Sequence, residues 1–173
     1  MVQNVVQYGL IKQEEERMIS VSIPGWGDLD IEYLVIDYNG TVAFDGKPKE
    51  GVKELMEKIS RYIKLFIITA DTYGNIDNEG NTIGFRIIKV GKEGSGKEKA
   101  RIVRELGPEK VAAIGNGNND ILMLKEAALG IGVIGEEGCS NVLIKDADLV
   151  VKNVVDALNI ILHPERLVAT LRD

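Results

Sequence analysis

Residues 34–42, Leu-Val-Ile-Asp-Tyr-Asn-Gly-Thr-Val, constrain the fold of this chain more than any other stretch. Leu34, Val35 and Ile36 form a short apolar run with β-branched character; Asp37 ends it and Gly40 breaks the strand. A short unbroken apolar run bounded by turn residues suits a strand buried on both faces, as in a parallel sheet. An acid at the carboxyl end of such a strand lies where open α/β sheets place their ligand crevice. By itself the stretch also fits an Asp that merely opens a turn, since Asp and Gly favour turns.

The rest of the chain repeats the pattern. Leu65-Phe66-Ile67-Ile68 runs into Thr69-Ala70-Asp71, and Val111 to Ile114 runs into Gly115-Asn116-Gly117-Asn118-Asn119-Asp120. Further strands are expected at 87–90, 129–134 and 148–151. Between them, Val52, Leu55, Met56 and Ile59 recur at helical spacing. Ser95 and Glu98 have capping-box spacing and open a helix through Leu106. Ile121, Leu122, Leu124 and Ala128 mark a third helix, and 154–162 a fourth, before Pro164. Strands alternating with helices predict a mainly parallel sheet covered on both faces. Ahead of it, Ile19, Val21 and Ile23 alternate with serines, Pro24 to Asp28 is turn chemistry, and Leu29 and Ile31 begin a return strand. That is a β-hairpin, with Trp26 a packing residue at its tip. Residues 1–17 carry a charged run and no strong apolar face, and read as a peripheral extension to a single domain spanning 18–173.

Composition limits the function. The 173 residues are enough for one domain with a real core. The net charge of -6 disfavours a nucleic-acid binder relying on a basic surface, and aromatics at 5% offer no stacking platform. No apolar run reaches the ~18 residues of a membrane span, and no secretory leader is expected. The single Cys139 cannot form an intrachain disulfide, which suits a reducing cytosol. His163, beside Pro164, is expected to be exposed rather than catalytic. Gly130-Ile131-Gly132-Val133-Ile134-Gly135 matches a dinucleotide fingerprint in letters, but it lies within a strand instead of opening a helix.

Four stretches fall at corresponding rims: Asp37 to Thr41, Thr69-Ala70-Asp71, Lys97 at a helix start, and Gly115 to Asp120. In that order they resemble the haloacid-dehalogenase (HAD) superfamily of phosphohydrolases, and within it the soluble P-type ATPase-like proteins. The resemblance spans roughly Ile31 to Val151. It implies a HAD-like Rossmannoid three-layer α/β sandwich with little or no cap, because only a helix and a strand separate Thr41 from Thr69 and the 73–84 loop is too short to be more than a flap. It implies that Asp37 attacks phosphorus to form an aspartyl phosphate, that Lys97 neutralises the charge, and that Gly40, Thr41, Thr69 and Ala70 help hold the phosphoryl oxygens. It implies Mg²⁺ held by Asp37, the Asn39 carbonyl and Asn116, with Asp120 in or near the shell. The partner is then a small phosphorylated substrate rather than nucleic acid or membrane, the protein a monomer or homo-oligomer, and the location cytoplasmic.

Two residues depart from the hydrolase pattern. Asn39 stands where the family's phosphatases usually carry an Asp acid–base, and Asn116 where an Asp ligand is usual. An amide hydrogen-bonds but cannot give and recover a proton as a carboxyl does. The implied enzyme is therefore slow. The departures also motivate an alternative, a catalytically weakened HAD-like module that binds or regulates. A phosphoacceptor receiver domain is a third reading, but its early acidic pair is missing.

Overall fold

A computed structural model describes residues 17–70 and 84–173. The extension expected at residues 1–17 lies outside these except for Arg17, whose guanidinium donates to the Ser60 carbonyl at 3.1 Å. Most of the 73–84 loop, with Asp71 and Thr72, also lies outside them.

Six parallel strands form the central sheet. We number strands and helices in chain order. The hairpin is β1 (Ile19–Ile23) and β2 (Gly27–Ile31), antiparallel with Ile23 opposite Gly27. Next come β3 (Tyr33–Asp37), the two-residue pair β4 (Ala43–Phe44) and β5 (Lys47–Pro48), α1 (Val52–Ile59), β6 (Lys64–Thr69) and β7 (Phe85–Lys89). Then follow α2 (Ser95–Leu106), β8 (Val111–Gly115), α3 (Ile121–Glu126), β9 (Leu129–Val133), α4 (Asn141–Asp146), β10 (Leu149–Val151), α5 (Val154–Leu162) and α6 (Glu165–Leu171). The sheet order is β10-β9-β8-β3-β6-β7. The chain builds from β3 outward through β6 and β7, then returns to β3's other side and builds outward through β8, β9 and β10. The reversal leaves a switch point between β3 and β8, where a doubly wound sheet opens its crevice.

Alternation along each strand divides the core into two layers. Leu34, Ile36, Leu65, Ile67, Ala112 and Ile114 face one way, where Val52, Met56 and Ile59 of α1 and Leu158 and Ile161 of α5 cover them. Val35, Phe66, Ile68, Val111 and Ala113 face the other, under Ile102 and Val103 of α2, Met123 and Leu124 of α3, and Leu143 of α4. The result is the expected three-layer sandwich. The hairpin adds Ile23, Leu29 and Ile31 to the first layer, beside Leu167 of α6.

Two local details differ from the sequence reading, and a third agrees with it. The N-cap of α2 is Gly94, in left-handed backbone, so Ser95 is the first helical residue and is buried; the Glu98 carboxylate accepts from Gly91 N–H at 2.6 Å instead of closing a capping box. Helix α4 replaces what reads as loop after Gly138. Ser140 caps it by accepting from Leu143 N–H, but six residues with one buried apolar side chain leave little periodic signal. The glycine-rich match at 130–135 falls on β9 and its end, as expected of a strand.

Candidate active site

Parallel register brings the rim residues together. Asp37 pairs with Ile68 and Ile36 with Ile114, so Thr69 and Gly115 lie one step beyond, flanking Asp37 at the carboxyl edge. Asp37, Thr41, Thr69 and Asp120 are all buried polar residues. Thr41 Oγ1 lies 3.4 Å from Asp37 Oδ2 and 3.2 Å from Asn116 Oδ1, and its one proton is shared between them. Asn39 Nδ2 reaches Thr69 Oγ1 at 3.5 Å. Gly40, at φ 78, is needed here: a Cβ would come within 2.6 Å of Asn116 Nδ2 and 2.7 Å of Glu137 Oε2. Ala70 follows Thr69 at the same edge and is half-buried.

The cation at the site is Lys99, not Lys97. Lys99 Nζ donates to Asp37 Oδ1 and to Asp120 Oδ1, each at 2.6 Å, and its side chain is only 1% exposed. Lys97 is exposed. Residues two apart on a helix point about 200° apart, so only one of these lysines can face the sheet. The missed signal was position: Ser95, Lys99, Ile102 and Val103 form the buried stripe of α2, and a lysine inside such a stripe must find carboxylates there.

Asp120 positions the cluster. Its Oδ1 takes Lys99, while its Oδ2 accepts Asn116 N–H at 2.9 Å and Gly117 N–H at 3.0 Å. Both oxygens are committed within the protein. Gly115 makes the fold-back possible, since a Cβ there would meet the Asp120 side chain at 2.5 Å. Asn116 is also oriented: its Nδ2 donates to the Gly138 carbonyl at 3.3 Å and its own carbonyl accepts from Ser140 N–H at 2.8 Å. This turns Oδ1 toward Thr41 and Asp37.

Two carboxylates and one ammonium in a buried space leave an excess negative charge. Burial, and then the charge of Asp120, push the Asp37 carboxyl up to about 7, against the pull of Lys99 and the Thr41 hydroxyl. Burial acts to lower the Lys99 ammonium, but Asp37 and Asp120 outweigh it and hold Lys99 above its usual value. No group of three or more His, Cys, Asp and Glu fit to hold a metal occurs among the described residues; the amide Asn116 stands where an acidic ligand was expected.

An acid–lysine–acid cluster at the switch point of a doubly wound parallel sheet marks an α/β protein whose ligand site lies at its strand ends. The family model of haloacid dehalogenase-like hydrolases matches residues 3–128, and the chain belongs to that family of enzymes. An uncharacterized protein of Methanocaldococcus jannaschii, MJ0073, is 50% identical over 93 residues, which is 50% of this chain and 100% of that one. Among solved structures, 3-deoxy-D-manno-octulosonate 8-phosphate phosphatase from Moraxella catarrhalis, crystallised with magnesium, phosphate and KDO, superposes with a TM-score of 0.61 at 22% identity, over 82% of this chain and 94% of that one. The catalytic domain of the CPx-ATPase CopB-B superposes at 0.52 with 22% identity, over 66% of this chain and 46% of that one. Both confirm the expected HAD-like fold. No described helix is long and apolar enough to cross a membrane.

Proposed function

We propose that the chain is a Mg²⁺-dependent phosphohydrolase or phosphotransferase. It moves a phosphoryl group through Asp37 from a small phosphoester, an acyl phosphate or ATP, and turns over slowly. The observation that carries this reading is the contact of Asp37 with the buried Lys99 at the sheet's switch point. An Asp37 oxygen attacks phosphorus as the bond to the leaving group breaks, giving an aspartyl phosphate. Lys99 is already in place to offset the charge on Asp37 and the phosphoryl oxygens, so little reorganisation is required. The Thr41 and Thr69 hydroxyls and the backbone around Gly40 and Ala70 hold those oxygens. Water then attacks phosphorus, the bond to Asp37 breaks, and phosphate leaves. Asn39 can neither protonate the leaving oxygen nor take the proton of the attacking water, so the first draws its proton from solvent and the second gives its proton to solvent or to the departing phosphate. General acid–base help is typically worth ~10²–10⁴-fold, which accounts for slow turnover.

The donor set fits magnesium. Asp37 carboxylate, Asn116 Oδ1 and the Asn39 carbonyl are all oxygen donors, Asp37 and Asn116 are already turned to one hydroxyl, and Mg²⁺ prefers few protein oxygens with waters retained. When bound, the ion supplies charge stabilisation at the phosphoryl oxygens. The lone Cys139 suits a cytosolic location.

The second reading, a weakened module that binds or regulates, is favoured by the two asparagines. Incubation with Mg²⁺ and labelled acetyl phosphate decides between them. Labelling of wild type but not Asp37→Asn supports the enzyme; no labelled protein and no released phosphate at saturating Mg²⁺ favours the module.

A further inference from the structure

A cavity of about 590 Å³ opens beside Asn116, the residue that shares the Thr41 hydroxyl with Asp37. It is a shallow depression open to solvent, with a volume in the range of small-molecule sites. Its polar wall is made of Asn116, Asn118, Glu137, Ser140 and Asn141, and the remainder is glycine backbone and small side chains. Among the described residues, no Lys, Arg or aromatic ring lines it. Ser140 donates its hydroxyl proton to Asn118 Oδ1, leaving the Asn118 amide NH₂ as a donor on offer. Glu137 is the one acidic side chain of the wall, has no cationic partner among the described residues, and holds Oε2 against the Gly40 turn.

This chemistry selects a leaving group. A nucleobase needs a face to stack on, and a second phosphate or a carboxylate needs a cation; the described residues of the wall supply neither. Hydroxyls need alternating donors and acceptors, and amides with one carboxylate supply both. Glu137 also repels an anionic leaving group, a form of discrimination through an unfavourable contact. We infer that, given phosphoryl transfer through Asp37, this cavity takes the neutral polyhydroxylated part of a sugar or polyol monophosphate, with Glu137 as the residue that excludes acidic analogues. The inference rests on the proposed function and specifies its substrate class.

Matched substrates test it: glycerol phosphate against phosphoglycerate, glucose phosphate against phosphogluconate, with AMP as the nucleotide. The wild type should favour the neutral member of each pair by about tenfold or more in kcat/KM, since like-charge juxtaposition is costly. Glu137→Gln should narrow that gap and Glu137→Lys should reverse it. Labelling by acetyl phosphate, which is too small to need the cavity, is measured on each protein to show that the catalytic centre is intact. With labelling intact, equal kcat/KM within the wild-type pairs, or a gap that both variants leave unchanged, overturns the assignment of the cavity. Wild type that is neither labelled nor active overturns the proposed function, and this inference with it.

Discussion

Replacing Lys99 by Met should do far more damage than the same change at Lys97, and for a reason the structure makes quantitative. Lys99 Nζ sits 2.6 Å from both Asp37 and Asp120, whose side chains are 8% and 0% exposed. Met keeps the aliphatic stem but removes the counter-charge of two buried acids, each of which must then stay ionised and unpaired or take up a proton. Breaking a buried ion pair by removing one partner costs about 3–5 kcal/mol. For a chain of this size each kcal/mol lowers Tm by roughly 2–4 °C, so Lys99→Met should melt about 6–20 °C below wild type at neutral pH. Lys97→Met, on the exposed face, should stay within about 0.5 kcal/mol. Adding Asp37→Asn to Lys99→Met removes one of the two acids left without a counter-charge and should recover part of the loss, a positive coupling typical of residues in one network. Thermal melts of the four proteins read the stability, and acetyl phosphate labelling of the two single lysine variants reads the chemistry; only Lys99→Met should fail to label. A Lys99→Met protein that melts with wild type, or labels normally while Lys97→Met does not, refutes the reasoning.

Three further predictions follow from the same site. Asn39→Asp should speed phosphomonoester hydrolysis by at most ~10²–10⁴-fold, and only at high Mg²⁺, because a second carboxylate beside Asp37 repels it otherwise; a neutral result at saturating Mg²⁺ would show that acid–base help is not limiting. Asn116→Asp should give no gain in Mg²⁺ affinity by calorimetry, because the Gly138 carbonyl accepts from Nδ2 and would face an oxygen instead; a clearly tighter site would contradict that orientation. In Mg²⁺-free buffer, Asp37 is raised from 3.8 to about 7, so the folded state keeps a proton that the unfolded chain releases. Its stabilising share is full below 3.8 and is lost as pH rises through about 7. The melting temperature of wild type should therefore fall relative to Asp37→Asn across that window, and parallel curves would rule this out.

Much of the fold was legible because it depends on local pattern. Apolar runs at 34–36, 65–68 and 111–114 announce doubly buried strands, and the residues that stop them, Asp37, Thr69 and Gly115, fall at one edge once the strands are parallel. The rim of the candidate site follows from that pattern alone, and so does the hairpin at 19–31. Helix α4 was not legible, because its stability comes from Leu143 docking on the sheet and not from periodicity.

The sequence by itself determined which strand ends line the candidate site and that two amides stand among them. Only the tertiary structure decided which lysine serves the site, since Lys97 and Lys99 are equivalent in composition and differ by about 200° of helical phase. It also decided that Asp120 spends both oxygens on Lys99 and the backbone of the 116–117 turn, and that the Gly138 carbonyl, 22 residues away in sequence, fixes which end of Asn116 faces Asp37. Such choices depend on partners brought together by sheet register and helix docking, and a side chain's orientation is set by those distant atoms, not by its neighbours along the chain.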